Sequence, residues 1–277
     1  MPNPSFNGYS CKRLQVAKIG EGLVSDDRFL PDGAVTVADS PEGAGSAAGK
    51  EAAEILKSAI GAKGRARVVF ASAPSQEQML RTLTSSEGID WSQVESLHLD
   101  EYRGISPEHP ASFGQWLQER LPAAAHAGLH RIRPDGKSSD EIARYSDLLR
   151  REEIDLVCLG IGVNGHVAFN EPGDTKFDDD ALLREVPLTY ASRKQQVDEG
   201  LFSALEEVPT HALSMTVSAI LAGHALVCTV LGETKAPAVA AALEGPITTD
   251  VPSSALRTHA RVSMFLDSGA ASALAAD

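Results

Sequence analysis

No apolar run in this chain of 277 residues approaches the ~20 needed to cross a bilayer, so a membrane partner is not expected. Positive charge is also scarce: 25 Lys and Arg stand against 38 Asp and Glu, giving a formal net charge of −13. A nucleic-acid binder needs a basic face to displace counterions, so nucleic acid is not an expected partner either. A small anionic molecule stays admissible, because a local cluster of donors overcomes an unfavourable global field. Cysteine is sparse, with three residues, an odd count and no C-x-x-C pair. Cys158 and Cys228 fall within apolar runs and read as small core hydrophobes in a reducing compartment. Residues 1–14 contain no apolar segment of signal-peptide length, and the cytoplasm is the expected location. The eight histidines are scattered without an H-E-x-x-H motif, so neither a metal nor a cofactor is expected.

What is present is enough apolar material for a core, 43% of the chain, arranged as short buried runs that alternate with amphipathic stretches. Apolar runs at 34–39, 66–72, 94–100, 154–160, 225–231 and 261–266 read as strands, several of them buried on both faces, and order is also expected at 212–217. Helical spacing follows at 44–60, capped by Asp39 or Ser40, through Met79, Leu80 and Leu83, at 111–121, at 139–150, and from Lys235 to about 243. Strands alternating with helices imply an α/β fold: a single-domain, Rossmann-like, largely parallel sheet flanked by helices. The length and the absence of a linker give one domain over 34–277, with residues 1–33 as an N-terminal surface arm that holds one alternating segment at 14–19. Residues 174–200 are acidic or polar with little periodicity, which reads as a solvated loop or as a lid over a neighbouring site.

The chain is organised around residues 154–173, IDLVCLGIGVNGHVAFNEPG. A buried strand gives way to Gly160 and Gly162, expected to turn the backbone sharply, and then to Asn164, His166, Asn170 and Glu171. Open α/β sheets bind ligands just past the carboxyl ends of their strands. The glycines open no convincing helix, which disfavours a dinucleotide site. A carboxylate beside an imidazole, as Glu171 and His166 permit, is suited to acid and base work. Three further segments stand at equivalent strand ends. Ser72, Ser75 and Gln76 flank Pro74 at a helix start, either as a structural cap with Ser75 or as a cradle for an anion. Asp100 and Glu101 form an acidic pair that is costly to bury without a task, unless the turn is solvated and Arg103 is its counter-ion. Lys235 stands at a helix amino end against the helix dipole, a placement that makes sense with an anion nearby.

Three blocks, LHLDEYRGISPEHPASF at 97–113, LGIGVNGHVAFNEPG at 159–173 and VLGETKAPAVAAALEG at 230–245, together resemble the glucosamine-6-phosphate deaminase (isomerase) family, within the wider sugar-phosphate isomerase and 6-phosphogluconolactonase group. The resemblance spans about residues 35–266 and implies a sugar-phosphate isomerase or CoA-transferase-like fold, a small-molecule sugar phosphate as substrate, no metal and a homo-oligomer. It implies ring opening by His166, assisted by Glu171 and Asn164, proton transfer by Asp100, and phosphate binding by Ser72, Ser75, Gln76 and Lys235. The chain departs from the family pattern in its phosphate loop, where two glycines are replaced and a proline removes a donor. The lid arginine of the family has no clean match, although Arg193 and Lys194 are near. A lactonase-like hydrolase, an isomerase of another sugar phosphate and a non-catalytic sugar-phosphate sensor are the alternatives that these departures leave open.

Overall fold

The computed structural model describes residues 34–275 together with Lys12–Arg13, and most of the expected N-terminal arm, including its segment at 14–19, lies outside the described residues. Ten strands are described: β1 Lys12–Arg13, β2 Val35–Ala38, β3 Ala66–Phe70, β4 Val94–His98, β5 Asp100–Tyr102, β6 Leu156–Leu159, β7 Leu183–Pro187, β8 His211–Met215, β9 Leu226–Val230 and β10 Val262–Asp267. Seven of them form the central sheet in the order β1-β2-β10-β9-β6-β3-β4. All its pairings are parallel except β1 with β2. The α/β class with a largely parallel sheet is thus observed, and the six apolar runs of the sequence all lie in that sheet.

Side chains alternate across the sheet, as strand geometry requires. Leu156 and Cys158 of β6 face one core layer with Val68, Phe70 and Val227. That layer is closed by α1 (Pro41–Lys63), α2 (Glu77–Thr84) and α3 (Phe113–Arg120). Val157 and Leu159 face the other layer, which is covered by α4 (Ser138–Arg150), α6 (Val217–Leu221) and α7 (Ala236–Glu244). The path β3-α2-β4 runs to one sheet edge, and α4 returns the chain past β3 to β6 on the opposite face. The carboxyl ends of β3 and β6 therefore flank a point where connections diverge, the place where open sheets form a crevice.

Three local outcomes differ from the sequence reading. The segment 94–100 is not one strand: after His98 the chain leaves the central sheet, and β5 pairs antiparallel with β8, which pairs antiparallel with β7. Leu99 is the handover, donating its N–H to Phe70 O at 3.0 Å while its carbonyl accepts from Met215 N at 2.8 Å. The polar stretch after residue 189 is not a solvated loop but α5 (Tyr190–Asp198), capped by Thr189, whose hydroxyl accepts from Ser192 N. Ser75 does not cap a helix; Pro74–Gln76 is a 3-10 turn that begins at Ala73 without a side-chain cap.

Helix α1 begins three residues before the expected start, because Ser40 is its N-cap and Pro41 occupies the first turn, where a missing N–H costs nothing. It packs on α2 through small residues, and a Cβ on Gly49 would stand 2.5 Å from Met79 O and 2.7 Å from Thr82 Cβ. Gly61, on the same helix, has no heavy atom within 4 Å of such a Cβ. Two Gly→Ala changes in one helix should therefore act with opposite sign. Gly61→Ala gains helix propensity, about 0.5–1 kcal/mol, whereas Gly49→Ala loses about 1–3 kcal/mol to overpacking. Urea denaturation of the two variants beside the parent measures both; equal stabilisation would contradict the tight α1–α2 contact.

Candidate functional site

A cleft of about 600 Å³, counting its open mouth, lies over the carboxyl ends of four adjacent strands, β3, β4, β6 and β9. The loop after β3 brings Ser72, Ser75 and Gln76 to it, the handover at Leu99 brings Asp100, the loop after β6 brings His166, and the turn before α7 brings Lys235. Of the eight residues singled out in the sequence, these six line the cleft. Asn164 and Glu171 are not on its wall but stand behind His166.

The loop after β6 is shaped by space as much as by turning. The expected turn begins at Gly162, whose carbonyl accepts from Gly165 N at 3.0 Å, although Gly162 itself has no positive φ. A Cβ there would overlap the His166 ring, so glycine is what lets the imidazole fold back over the strand end. The left-handed positions are Gly165 at φ 85° and Ala168 at φ 50°. An L side chain in that region stores strain of roughly 1–3 kcal/mol, and the neighbours of Ala168 are clamped. Phe169 N donates to Ser214 Oγ at 3.0 Å, and Asn170 Nδ2 donates to Val167 O at 2.8 Å and Met215 O at 2.7 Å. Asn170 thus ties the loop to β8, with its amide committed to backbone carbonyls.

A directed chain of hydrogen bonds fixes His166. Its backbone N–H donates to Asn164 Oδ1 at 3.2 Å, which identifies that atom as the amide oxygen and leaves Asn164 Nδ2 to donate to Glu171 Oε2 at 2.8 Å. An amide oxygen only accepts, so His166 Nδ1, 2.8 Å from it, carries the ring proton. The Nε2 lone pair is then the basic atom. Ser192 of α5 donates to Glu171 Oε1 and lies 3.3 Å from His166 Nδ1. Burial lowers the His166 pKa to about 4; Glu171, with Oε2 3.9 Å from Nδ1, opposes that shift and Lys235 adds to it. The imidazole is neutral at pH 7.

Asp100 and Glu101 part company although adjacent. Glu101 is fully buried and serves the start of α3: it accepts from Ser112 Oγ at 2.7 Å, from the backbone N–H of Phe113 and Gly114, and from Tyr102 N. Burial raises its pKa against those four donors. Asp100 lines the cleft, 8% exposed, and its pKa is raised to about 8 by burial and then by the Glu101 charge. The solvated-turn alternative is overturned, since Arg103 points to the carbonyls of Pro134 and Gly136 and to Glu185 at 3.7 Å. His98 supports the Asp100 backbone. Its Nε2 accepts from Ile132 N at 2.8 Å, so Nδ1 holds the proton and donates to Asp100 O at 2.8 Å. Burial lowers its pKa to about 4.

At the other end of the cleft, Ser72 Oγ and Gln76 Oε1 are buried and make no hydrogen bond. Gln76 Nε2 donates to Thr229 O at 3.2 Å. Lys235 is buried and its pKa is lowered by burial, with Glu199 opposing at 4.0 Å from Nζ. The anion that Lys235 called for in the sequence is thus supplied by the chain itself. Arg193 and Lys194 do not reach the cleft: the first binds the carbonyls of Leu205 and Val208, the second Asp198. Among the described residues, no group of three or more His, Cys, Asp or Glu side chains could hold a metal ion.

The contributors that the sequence reading missed are mostly on α5: Ser192, Gln195, Gln196 and Glu199. The buried residues of this helix are Ser192 and Gln196, so it carries no apolar stripe to reveal it. The available signal was Thr189 as a cap followed by residues 190–199 without Gly or Pro. The helix is seated beside an aromatic cluster. Tyr102 packs on Phe113 at 4.6 Å, Phe202 at 5.3 Å and Phe169 at 5.9 Å between ring centroids, and its hydroxyl donates to Gln196 Oε1.

The sequence profile described as glucosamine-6-phosphate isomerases/6-phosphogluconolactonase matches residues 39–264. A glucosamine-6-phosphate deaminase of Lactobacillus delbrueckii subsp. bulgaricus is 38% identical over 229 residues, covering 82% of this chain and 94% of its own. One from Listeria monocytogenes serotype 4a is 35% identical over 231 residues, covering 82% and 96%. Among solved structures, a monomeric glucosamine-6-phosphate deaminase superposes with a TM-score of 0.79 at 29% identity, covering 86% of this chain and 99% of that one. The 6-phosphogluconolactonase of Trypanosoma brucei gives 0.73 at 16% identity, covering 87% and 98%, a likeness of fold alone.

The hydrogen-bond chain makes a prediction that needs no substrate. Replacing Asn164 by Asp puts a second carboxylate against the Nδ1–H and should raise the imidazole pKa from about 4 towards the neutral range, by at least one unit. Nitrogen-15 NMR titration of the ring reads both the tautomer and the pKa; an unmoved pKa, or a proton on Nε2 in the parent, would refute the assigned direction of the chain.

Proposed function

Since the chain belongs to the family of glucosamine-6-phosphate isomerases and 6-phosphogluconolactonases, we propose that it is an enzyme converting glucosamine-6-phosphate and water into fructose-6-phosphate and ammonia. The observation that carries the proposal is the pairing, within one cleft, of a neutral imidazole of known tautomer with a carboxyl whose pKa is raised to about 8. Isomerisation of an aldose needs those two tasks. The imidazole Nε2 of His166 accepts the proton of the anomeric hydroxyl and returns one to the ring oxygen, so that the pyranose opens. Glu171 and Asn164 hold the ring and stabilise it while it carries the extra proton. Asp100 then removes the proton from carbon 2 and delivers one to carbon 1. The resulting imine takes up water and releases ammonia.

Lys235, Ser72, Ser75 and Gln76 are proposed to hold the phosphate, far enough from the reacting carbons that binding energy there positions them. The orphaned Ser72 hydroxyl supports a ligand at that end, because buried polar atoms are rarely left unpaired. We further propose residues 174–200 as the lid, supported by the contacts of Ser192 with Glu171 and His166 and of Gln196 with Tyr102. A cytoplasmic location accords with a substrate of this class and with the free, buried Cys158 and Cys228. No helix of the described residues is long and apolar enough to cross a membrane. Assembly into a homo-oligomer is a separate part of the proposal that sedimentation of the intact chain decides; one similar solved structure is of a monomeric enzyme.

A coupled ammonia assay with glucosamine-6-phosphate tests the reaction. Asp100→Asn should lower kcat by about 100- to 10,000-fold, the usual worth of a positioned acid or base; turnover by the folded variant within tenfold of the parent would remove Asp100 from its role.

The pH profile is a second test, and its sign follows from the state of Asp100. The carboxyl is protonated, and unable to act as a base, below its pKa of about 8. The kcat/KM of the free enzyme should therefore rise with pH through neutrality and level off above about 8. An acid limb centred near an ordinary carboxylate pKa would show that another group is the base.

A further inference from the structure

Among the described residues lining the cleft, Lys235 is the one cation, and its nearest anion is not a ligand but Glu199. Glu199 caps the carboxyl end of α5 and its side chain is held from two sides. Gln195 Nε2 donates to Glu199 Oε1 at 2.7 Å, the same oxygen that lies 4.0 Å from Lys235 Nζ. Gln195 Oε1 in turn faces Val163 N at 3.4 Å on the loop after β6. The carboxylate is therefore aimed at the ammonium by a built arrangement rather than by chance of a surface rotamer. Its side chain is 26% exposed, against 11% for Lys235, so the carboxylate is the better solvated member of the pair.

We propose that Glu199 is an internal stand-in for the anionic group of the substrate: it holds Lys235 in the empty site and must release it when a phosphate binds. The proposal rests on the reading of Lys235 as a phosphate ligand. A carboxylate and a phosphate cannot both occupy the space around one buried ammonium, because like charges a few ångströms apart repel strongly in a poorly solvated site. The cost of moving Glu199 is set against every anion that enters. An anion bound only through Lys235, such as inorganic phosphate, has no other contact to offset that cost. A phosphorylated sugar offsets it through the contacts its ring makes with the rest of the cleft. Glu199 thereby lowers the affinity of both by the same factor, which leaves free phosphate too weak to occupy the pocket while a whole substrate still binds. Position also matters: Glu199 closes the helix that carries Ser192 to Glu171, so its departure from Lys235 is felt at the end of α5 nearest the phosphate site.

The test uses the full chain with Glu199→Gln, which keeps the size of the side chain and removes its charge, and Glu199→Asp, which keeps the charge. Inorganic phosphate binding, measured by titration calorimetry, should tighten about tenfold in Glu199→Gln and stay near the parent value in Glu199→Asp. The inhibition of ammonia release by phosphate should strengthen in parallel, and the KM for glucosamine-6-phosphate should fall by a similar factor, because both ligands displace the same carboxylate. Equal phosphate affinity in parent and Glu199→Gln, or no phosphate binding by either, overturns the proposal. Calorimetry does not depend on turnover: absence of ammonia release from the parent would count against the deaminase reaction, while tighter phosphate binding by Glu199→Gln would still support the stand-in role.

Discussion

The handover at Leu99 is the constraint on which the site depends. One residue belongs to both sheets, with its N–H bonded to β3 and its carbonyl to β8. The residue that follows is consequently carried off the end of the central sheet while its backbone is still fixed. Asp100 thus has a rigid main chain, held by the His98 imidazole at its carbonyl, and a side chain with no cation in ion-pair range among the described residues. A carboxyl so placed is costly to ionise, and its raised pKa expresses that cost. Burial raises the pKa of Glu101 as well, but its surroundings differ. It is more deeply buried, yet four donors at the start of α3 surround it, and its task is to hold that helix.

The second sheet extends the same logic to the rest of the cleft. Strand β8 binds β5 on one side and, through Ser214 and Met215, receives Phe169 and Asn170 from the loop after β6. Asp100 and His166 come from loops far apart in sequence, but both are referred to one short strand. The left-handed Ala168 lies between the clamped residues, where strain is sustained because its neighbours are over-determined. A chain with only 5% aromatic residues spends several of them at this point. Tyr102, Phe113, Phe169 and Phe202 pack together against the small sheet and give α5 a surface to rest on without an apolar stripe of its own.

The central sheet was legible because strands buried on both faces must be apolar throughout, and β3, β6 and β9 are written that way. The loop after β6 was legible for a similar reason, since Gly, Asn, His and Glu have no business in a core and cluster where the strand ends. The small sheet and α5 were not. Strand β7 has three of its five residues exposed and a fourth half covered, and β8, although order is expected at 212–217, carries no sign in its sequence that it pairs outside the central sheet. Helix α5 buries serine and glutamine, residues whose reason for being inside is the hydrogen bonds they make to groups remote in sequence. Periodicity reports apolar burial; it is silent about polar burial that long-range partners make affordable. The glycines of the loop were legible as necessary but for an incomplete reason, because the clearance that Gly162 gives His166 depends on where the imidazole folds back.

Electrically, the empty site is close to neutral within a chain of net charge −13. His166 is uncharged because burial disfavours the imidazolium. Asp100 is largely protonated at pH 7 because nothing nearby favours its anion. Glu171 is met by Asn164 and Ser192 as donors, and Lys235 is met by Glu199. A poorly solvated cavity tolerates charge only in compensated form, so these are not separate peculiarities but one requirement met four ways. The compensation is also what makes the site responsive. Lys235 is balanced by a carboxylate that another anion can replace, and the Nε2 of His166 carries no proton and is open to one. A ligand that supplies both at once disturbs no net charge at either end of the cleft, whereas a ligand that supplies one leaves the other end as it was.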